Sequence, residues 1–245
     1  MTLSPHVALS QLWQNVALMK ILAFDTSTEY LSLALWQDGR VTVREQLAGQ
    51  KHSTLLLPLV RELLDEGGLQ LSALDGIAFG QGPGSFTGLR IGCGVAQGLA
   101  FGAGLKVIGI STLEALAQQS GAMRVIACLD ARMNEVYHAA YERDAEVWRT
   151  VLPPGLYPPP QVPPLAGSDW CGIGSGWDNF GAPLDGVYGT QVGSKIAGAF
   201  PLARHMAELA AAGFARGEGM PPHLAAPLYV RNKVAQTILE REISK

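Results

Sequence analysis

Lys20-Ile21-Leu22-Ala23-Phe24-Asp25-Thr26-Ser27-Thr28-Glu29 is an apolar strand signal that ends on an aspartate and runs straight into a hydroxyl-rich turn. Further along, Val125-Ile126-Ala127-Cys128-Leu129-Asp130 has the same form. The segments after the two copies are alike too. The first copy is succeeded by strand signals at 31–36 and 41–46, joined by Asp38-Gly39, a dipeptide suited to the positive φ of a tight hairpin. The second is succeeded by a strand at 136–142 and a third beyond the polar turn near Arg143-Asp144. Two copies of one strand-turn-strand-strand unit imply a duplicated fold, with a chance echo as the alternative.

Between the copies the pattern alternates helix and strand. A helix is predicted at 53–66, where Leu56, Val60, Leu63 and Leu64 make an apolar stripe, with Ser53 as candidate N-cap and Gly67-Gly68 as the stop. Pro58 conflicts with it except near the first turn. A strand at 75–80, a Gly-rich loop, a helix at 86–103, a strand at 106–110 and a helix at 112–119 complete this stretch. The order βββαβαβ is that of a ribonuclease H-like half, a mixed sheet with helices on its faces. The expected class is therefore α/β, a duplicated ribonuclease H-like unit as in the actin-like and Hsp70-like ATPases, divided into 19–112 and a degenerate 113–245. It is degenerate because prolines from Pro153 to Pro164 stand where a helix would come after the third strand, and forbid one. A last long helix is expected near 202–216, between Pro201 and Gly217.

The 245 residues suffice for one large or two ordinary domains, and a 48% hydrophobic, 16% charged composition is that of a globular chain. A net charge of −3 without a basic block makes direct capture of a nucleic-acid backbone a poor fit, so any such role would be indirect. Cys93, Cys128 and Cys171 stand singly in apolar segments, which reads as buried thiols in a reducing, cytoplasmic setting, and no segment reads as a membrane span. Residues 1–18 lack the basic start, apolar stretch and cleavage site of a signal peptide. They read as an extension, dispensable for the fold, with Met19 as the natural start.

Chemistry would sit in a few places. Gly80-Gln81-Gly82-Pro83-Gly84-Ser85-Phe86-Thr87-Gly88 joins a strand to a helix and would present backbone N–H groups to an anion or a partner, or serve as a turn alone. It is neither a Walker loop nor G-x-G-x-x-G. Ser85 is not in G-x-S-x-G, and no two of His6, His52, His138, His205 and His223 are four residues apart, so neither a nucleophile nor a metal pair is evident. Cys171-Gly172-Ile173-Gly174-Ser175-Gly176 is either an adenosine-side glycine pair or a close-packed turn. On helix 86–103, Gly94, Gly98 and Gly102 line one face at about 1 kcal/mol each relative to alanine. Something must approach that face closely, either an element of the same chain or another subunit.

Together, Ile21 to Glu29, Gly80 to Gly92, Leu129-Asp130-Ala131-Arg132-Met133-Asn134-Glu135-Val136-Tyr137 and Pro227-Leu228-Tyr229-Val230-Arg231 resemble the TsaB family, from about Met19 to the C-terminus. TsaB is the bacterial accessory subunit in threonylcarbamoyladenosine formation on tRNA. The resemblance implies a chain with no catalytic residues, metal or cofactor of its own. ATP and metal would belong to its partners, a TsaD-type catalytic subunit and a TsaE-type ATPase, with tRNA met only indirectly and a homodimer possible when alone. It implies dimerisation through the first two helices, which would make Leu56, Val60, Leu63, Leu64, Gly94, Gly98 and Gly102 the partner interface. Gly82, Pro83, Gly84, Ser85 and Thr87 would lie near a partner or phosphate. Asp25, Thr26, Ser27 and Thr28 would be a vestigial nucleotide hairpin, which lacks the usual glycine, or a capped turn. A small-molecule kinase of the same fold and a Ser85 peptidase are the rival readings.

Overall fold

β1 (Lys20–Asp25) is buried at every residue after Lys20, because it runs through the middle of a sheet covered on both faces. The computed structural model describes residues 16, 18–145 and 147–231. β1 pairs antiparallel with β2 (Tyr30–Gln37), which pairs with β3 (Arg40–Leu47) through a turn at Asp38 and Gly39, both at positive φ. On its other side β1 lies parallel to β4 (Gly76–Gly82), and β4 to β5 (Lys106–Ser111). The resulting order, β3-β2-β1-β4-β5, recurs strand for strand in the second sheet. There β6 (Arg124–Asp130) takes the place of β1, flanked by β7 (Val136–Asp144) and β8 (Val147–Tyr157) on one side and β9 (Trp170–Ile173) and β10 (Val192–Ile196) on the other. The fold is a duplicated ribonuclease H-like α/β architecture.

The helices are α1 (His52–Glu66), α2 (Phe86–Ala103), α3 (Thr112–Ser120), α4 (Ser175–Tyr188) and α5 (Ala203–Ala215). Strict alternation along β1 sends Leu22 and Phe24 to one face, under α1 and α2, and Ile21 and Ala23 to the other, under α5. Ala23 stands beside Ala34 on β2 and Ala78 on β4. That row of small residues lets the Ala203, Ala207, Ala210 and Ala211 side of α5 settle close to the sheet, and Ser32 Oγ accepts the Ala203 N–H at 2.8 Å.

The two helices that come after the last strand of each sheet are exchanged. α3 leaves β5 of the first sheet and buries Leu113, Leu116 and Ala117 against Val125, Ala127 and Leu129 of the second. α5 leaves β10 of the second sheet and covers the first. The far face of the second sheet is closed by Trp177, Leu184 and Tyr188 of α4 and by Val162 of the Pro-rich segment.

Several expectations are corrected. α1 starts at His52 on Lys51, which makes no side-chain cap, so Ser53 is not the N-cap. Pro58 lies well inside α1 on its exposed side, where water can replace the bond it cannot make. α4 and β10 were not legible. α4 carries Gly176, Gly181, Pro183 and Gly186 and is kinked at Phe180 (φ −130°), while β10 is short and largely exposed. Pro153 and Pro154 do not end the third strand but lie within β8, a sheet edge that tolerates missing N–H groups.

Of the segment expected to precede the fold, residues 1–15 and 17 lie outside the described residues. Val16, however, is buried against Ile21 and Ala34, and its carbonyl accepts the Trp36 indole N–H at 3.2 Å. A chain beginning at Met19 should therefore melt lower. Loss of one buried valine, about 1.5–3 kcal/mol, at about 2–4 °C per kcal/mol, is a drop readable by differential scanning calorimetry.

Candidate functional site

β1 delivers Asp25 into a turn that folds back on itself. Asp25 is buried, and its Oδ1 accepts the Ser27 N–H at 3.0 Å and the Ser27 hydroxyl at 2.8 Å, while Thr28 Oγ1 accepts the Tyr30 N–H at 3.1 Å. Oδ2 has no partner. Burial pushes the Asp25 pKa up to about 7, and the two bonds from Ser27 only partly counter it.

This hairpin lies directly on the start of α2. Ser85 caps the helix, accepting Gly88 N–H at 3.3 Å, but its own N–H donates to Ser27 O at 2.7 Å, and Thr26 Oγ1 donates to Gly88 O at 2.7 Å. Gly80, Gly84, Gly88 and Gly92 are spaced by four because nothing larger fits. A Cβ at Gly80 would overlap Asp25 Oδ2, and one at Gly88 would overlap Thr26 O. At Gly84 and Gly92 it would stand 2.6 Å from Ser27 O and Thr26 Oγ1 respectively. The Gly-rich loop is thus a socket for the chain's own hairpin. Of the loop residues, Pro83 O accepts the Thr112 hydroxyl at 2.6 Å and Gly82 abuts Leu228 O, leaving Ser85 and Thr87 exposed.

A cleft of about 800 Å³ opens between this hairpin and its counterpart on the second sheet. There Asp130 repeats Asp25: its Oδ1 accepts the N–H two residues on, that of Arg132, at 2.7 Å, and Asn179 donates to Oδ2 at 2.8 Å. Arg132, Met133 and Asn134 come next at φ of 63°, 56° and 57°. Three successive left-handed residues cost about 1–2 kcal/mol each, so neighbouring groups must hold them. Arg132 faces Glu29 of the first hairpin at 3.8 Å.

These residues do not fit a nucleotide's phosphates. The N–H of Ser85, the cap residue of α2, is already taken by Ser27 O, the hairpin has no glycine to admit a phosphate, and Asp25 is sealed beneath Gly80. Ser85 Oγ has Gly88 N as its hydrogen-bond partner among the described residues, with no histidine or carboxylate on it. His52 is buried with Nε2 unpaired, His205 pairs with Glu208, and His138 Nε2 meets Tyr188 Oη at 2.6 Å, which in turn donates to Pro163 O. Among the described residues no group of three or more His, Cys, Asp or Glu side chains could hold a metal ion. Gly174 and Gly176 let α4 approach Cys128 on β6, so that segment is a close-packed turn.

The two outer helices separate the remaining candidates. Leu56, Val60, Leu63 and Leu64 are buried in the first core, a correction to their reading as interface residues: the sheet itself absorbs the stripe. Gly94, Gly98 and Gly102 point outward, and a Cβ at any of them would meet nothing within 4 Å. Among the described residues, no element of this chain lies against them. Phe101 beside them is 81% exposed, and Ile91, Val95, Leu55 and Leu59 are half-buried along the α1–α2 seam.

Sequence reasoning missed the role of the C-terminal tail. Gln81 Nε2 and Gln97 Nε2 hold its carbonyls at Ala226 and Ala225, and Arg231 reaches the second hairpin. The Pro227–Arg231 motif was the one signal.

The duplicated sheets, the exchanged helices and the two aspartate-closed hairpins define a member of the actin-like class whose first hairpin is seated on the cap of α2. Comparison with known proteins narrows this. The tRNA N6-adenosine threonylcarbamoyltransferase (TsaD) family model matches residues 43–162. The tRNA threonylcarbamoyladenosine biosynthesis protein TsaB of Escherichia coli is 41% identical over 227 residues, 89% of this chain and 96% of that one. The Haemophilus influenzae TsaB is 38% identical over 88% of this chain and 95% of its own. YeaZ from Pseudomonas aeruginosa has a solved structure, 41% identical, with a TM-score of 0.80 over 86% of this chain and all of that one. The chain belongs to the TsaB family.

Two buried titrating groups, Asp25 and His138, give the protein a testable pH response. Asp25, raised from 3.8 to about 7, favours folding when protonated, a contribution present below pH 4 and lost as pH rises through 7. His138, lowered by burial from 6.5 to about 4, favours folding when neutral, a contribution gained as pH rises from 4 to 6.5. Between pH 4 and 6.5 the two oppose each other. Asp25→Asn should remove one of them, worth up to ~4 kcal/mol at about 1.4 kcal/mol per unit. Melting curves should then show the variant gaining stability more steeply than the parent from pH 4 to 6.5, and exceeding it above pH 7. Parallel profiles would refute the assignment.

Proposed function

We propose that this chain is a non-catalytic accessory subunit in formation of threonylcarbamoyladenosine at position 37 of tRNAs reading codons that start with A. It would act by docking a TsaD-type catalytic subunit through the outer face of α2 and the α1–α2 seam. The observation that carries this is the open glycine row: Gly94, Gly98 and Gly102 face solvent with nothing within 4 Å, beside the exposed Phe101. Glycines in a helix interior destabilise the isolated chain, and a crossing helix from a partner makes use of the close approach they allow. The docking surface is Ile91, Gly94, Val95, Gly98, Phe101 and Gly102 with Leu55 and Leu59, in place of the inward-facing leucines. A TsaE-type ATPase would complete the assembly, ATP and metal would sit in the partner subunits, and tRNA would be met through them. The same face would serve a homodimer when no partner is present.

The hairpin seated on the cap of α2, with no glycine to admit a phosphate, supports a role without turnover of its own. The expected result is that the purified chain forms no threonylcarbamoyladenosine and hydrolyses no ATP. A catalytic subunit and ATPase supplied with threonylcarbamoyl-adenylate and tRNA should modify the tRNA only when this chain is added. Modification at the same rate without it, or turnover by the chain alone, would overturn the proposal.

A further inference from the structure

The tail after α5 crosses from one half of the molecule to the other at the mouth of the cleft. Along the first half it is held at many points. Met220 and Val107 exchange both backbone bonds at 2.9 Å, Gln97 and Gln81 donate to Ala225 O and Ala226 O at 3.0 Å, and Leu228 N–H donates to Gln81 O at 2.8 Å. Tyr229 then packs against Phe86 with the rings tilted by 38° and their centroids 5.4 Å apart, and its hydroxyl accepts Arg90 Nε–H at 2.9 Å.

Among the described residues, the grip on the second half narrows to two. Val230 packs at the edge of the core around Leu129 and Tyr137. Arg231 donates to Ala131 O at 3.0 Å, pairs with Glu135 at 2.7 Å and touches Met133 Sδ at 2.9 Å. All three targets lie on or beside the left-handed turn at Arg132–Asn134. The pair is sheltered, with Arg231 14% and Glu135 29% exposed, which strengthens a charge-assisted bond. Away from the tail the halves are joined by the exchanged helices. At the cleft mouth the tail is reinforced by the exposed Arg132–Glu29 pair.

We propose that Tyr229, Val230 and Arg231 form a releasable clasp that ties the two halves together across the cleft, bridging them with the chain's own residues as a ligand in such a cleft would. Release occurs at Arg231. Among the described residues the first-half anchorage is many-pointed and the second-half anchorage is one guanidinium and one valine, so an opening motion breaks the latter first. Once free, the turn at Arg132–Asn134 keeps its Asp130 bond and the Ala131–Glu135 and Glu135–Arg132 backbone bonds but loses the bracing that the tail gives its left-handed backbone.

The test uses the full chain carrying Glu29→Cys and Arg132→Cys, whose parent side chains face each other across the cleft. Cys93, Cys128 and Cys171 are buried and left in place. Disulfide formation under oxidised glutathione is timed with and without Arg231→Ala, and amide exchange over 129–137 is measured by mass spectrometry. The clasp predicts cross-linking slowed at least about threefold and exchange at Ala131 and Glu135 faster by about tenfold. Faster exchange with unchanged cross-linking would show that Arg231 supports its own turn and nothing more, overturning the clasp, as would no change in either. If Arg231→Ala does not fold, Arg231→Lys keeps the charge and loses the fork to Ala131 O. Intermediate values are then expected, and values equal to the parent's would overturn the proposal.

Discussion

Replacing Gly98 by leucine is expected to abolish association with the catalytic subunit while leaving the isolated chain folded and slightly more stable. A Cβ at this position meets nothing within 4 Å in the free protein, and the position faces solvent, so a longer side chain has room to extend outward. The substitution also removes an interior helical glycine, worth about 0.5–1 kcal/mol in favour of the helix. By the 2–4 °C per kcal/mol of a chain this size, the melting temperature should rise by a few degrees. At a close helix crossing the same leucine displaces the partner's backbone, a loss of the kind that overpacked interfaces show. Size-exclusion chromatography with the catalytic subunit and calorimetric titration read the first effect, and a melting curve reads the second. Association unchanged by the leucine would remove α2 from the docking surface.

The opposite outcome is expected from a smaller change nearer the start of the same helix. Gly88→Ala places a methyl group onto Thr26 O, a backbone atom that cannot swing aside. Either the hairpin at Thr26–Ser27 lifts off, losing the Ser85–Ser27 and Thr26–Gly88 bonds and exposing Asp25, or the start of α2 moves and strains the Pro83–Thr112 contact. Overpacking of a well-filled site typically costs about 1–3 kcal/mol. With two buried hydrogen bonds at about 1 kcal/mol each, a melting temperature lower by about 5–15 °C is expected. Any loss of partner binding would result from unfolding and would be recovered at low temperature. A Gly88→Ala chain that melts with the parent would refute the socket.

The contrast between these variants shows what was legible. The glycines of α2 were plain in the sequence, as was the strand-turn-strand echo that underlies both sheets. Which of them pack inward was not, because Gly80, Gly84, Gly88 and Gly92 are explained by a hairpin some sixty positions away in the chain, and a period of four looks the same on either face. The leucines of α1 misled for a related reason. An apolar stripe says that a face is covered, and here the cover is the first sheet. α4 was lost to its own glycines and proline, whose propensity is overridden by Trp177, Leu184 and Tyr188 filling the space above β6. Asp25 closes its turn, one of the two roles its hairpin pattern left open, but the seating of that hairpin on the cap of α2 depends on the Ser27 carbonyl, which no side-chain pattern reveals.

The exchange of α3 and α5 has a bearing on how the protein is born. When the ribosome has finished β5 at Ser111, the first sheet already has all five strands, yet the helix that seals its second face ends at Ala215. At translation rates of about 5–20 residues per second, the face bearing Ile21, Ala23, Ala78 and Ile108 stays bare for about 5–20 s while the rest is made. The nascent amino-terminal half is thus a client for holding chaperones until its last helix arrives. A fragment ending near Gly121 should be recovered as an aggregate or bound to such a chaperone, never as an independent domain.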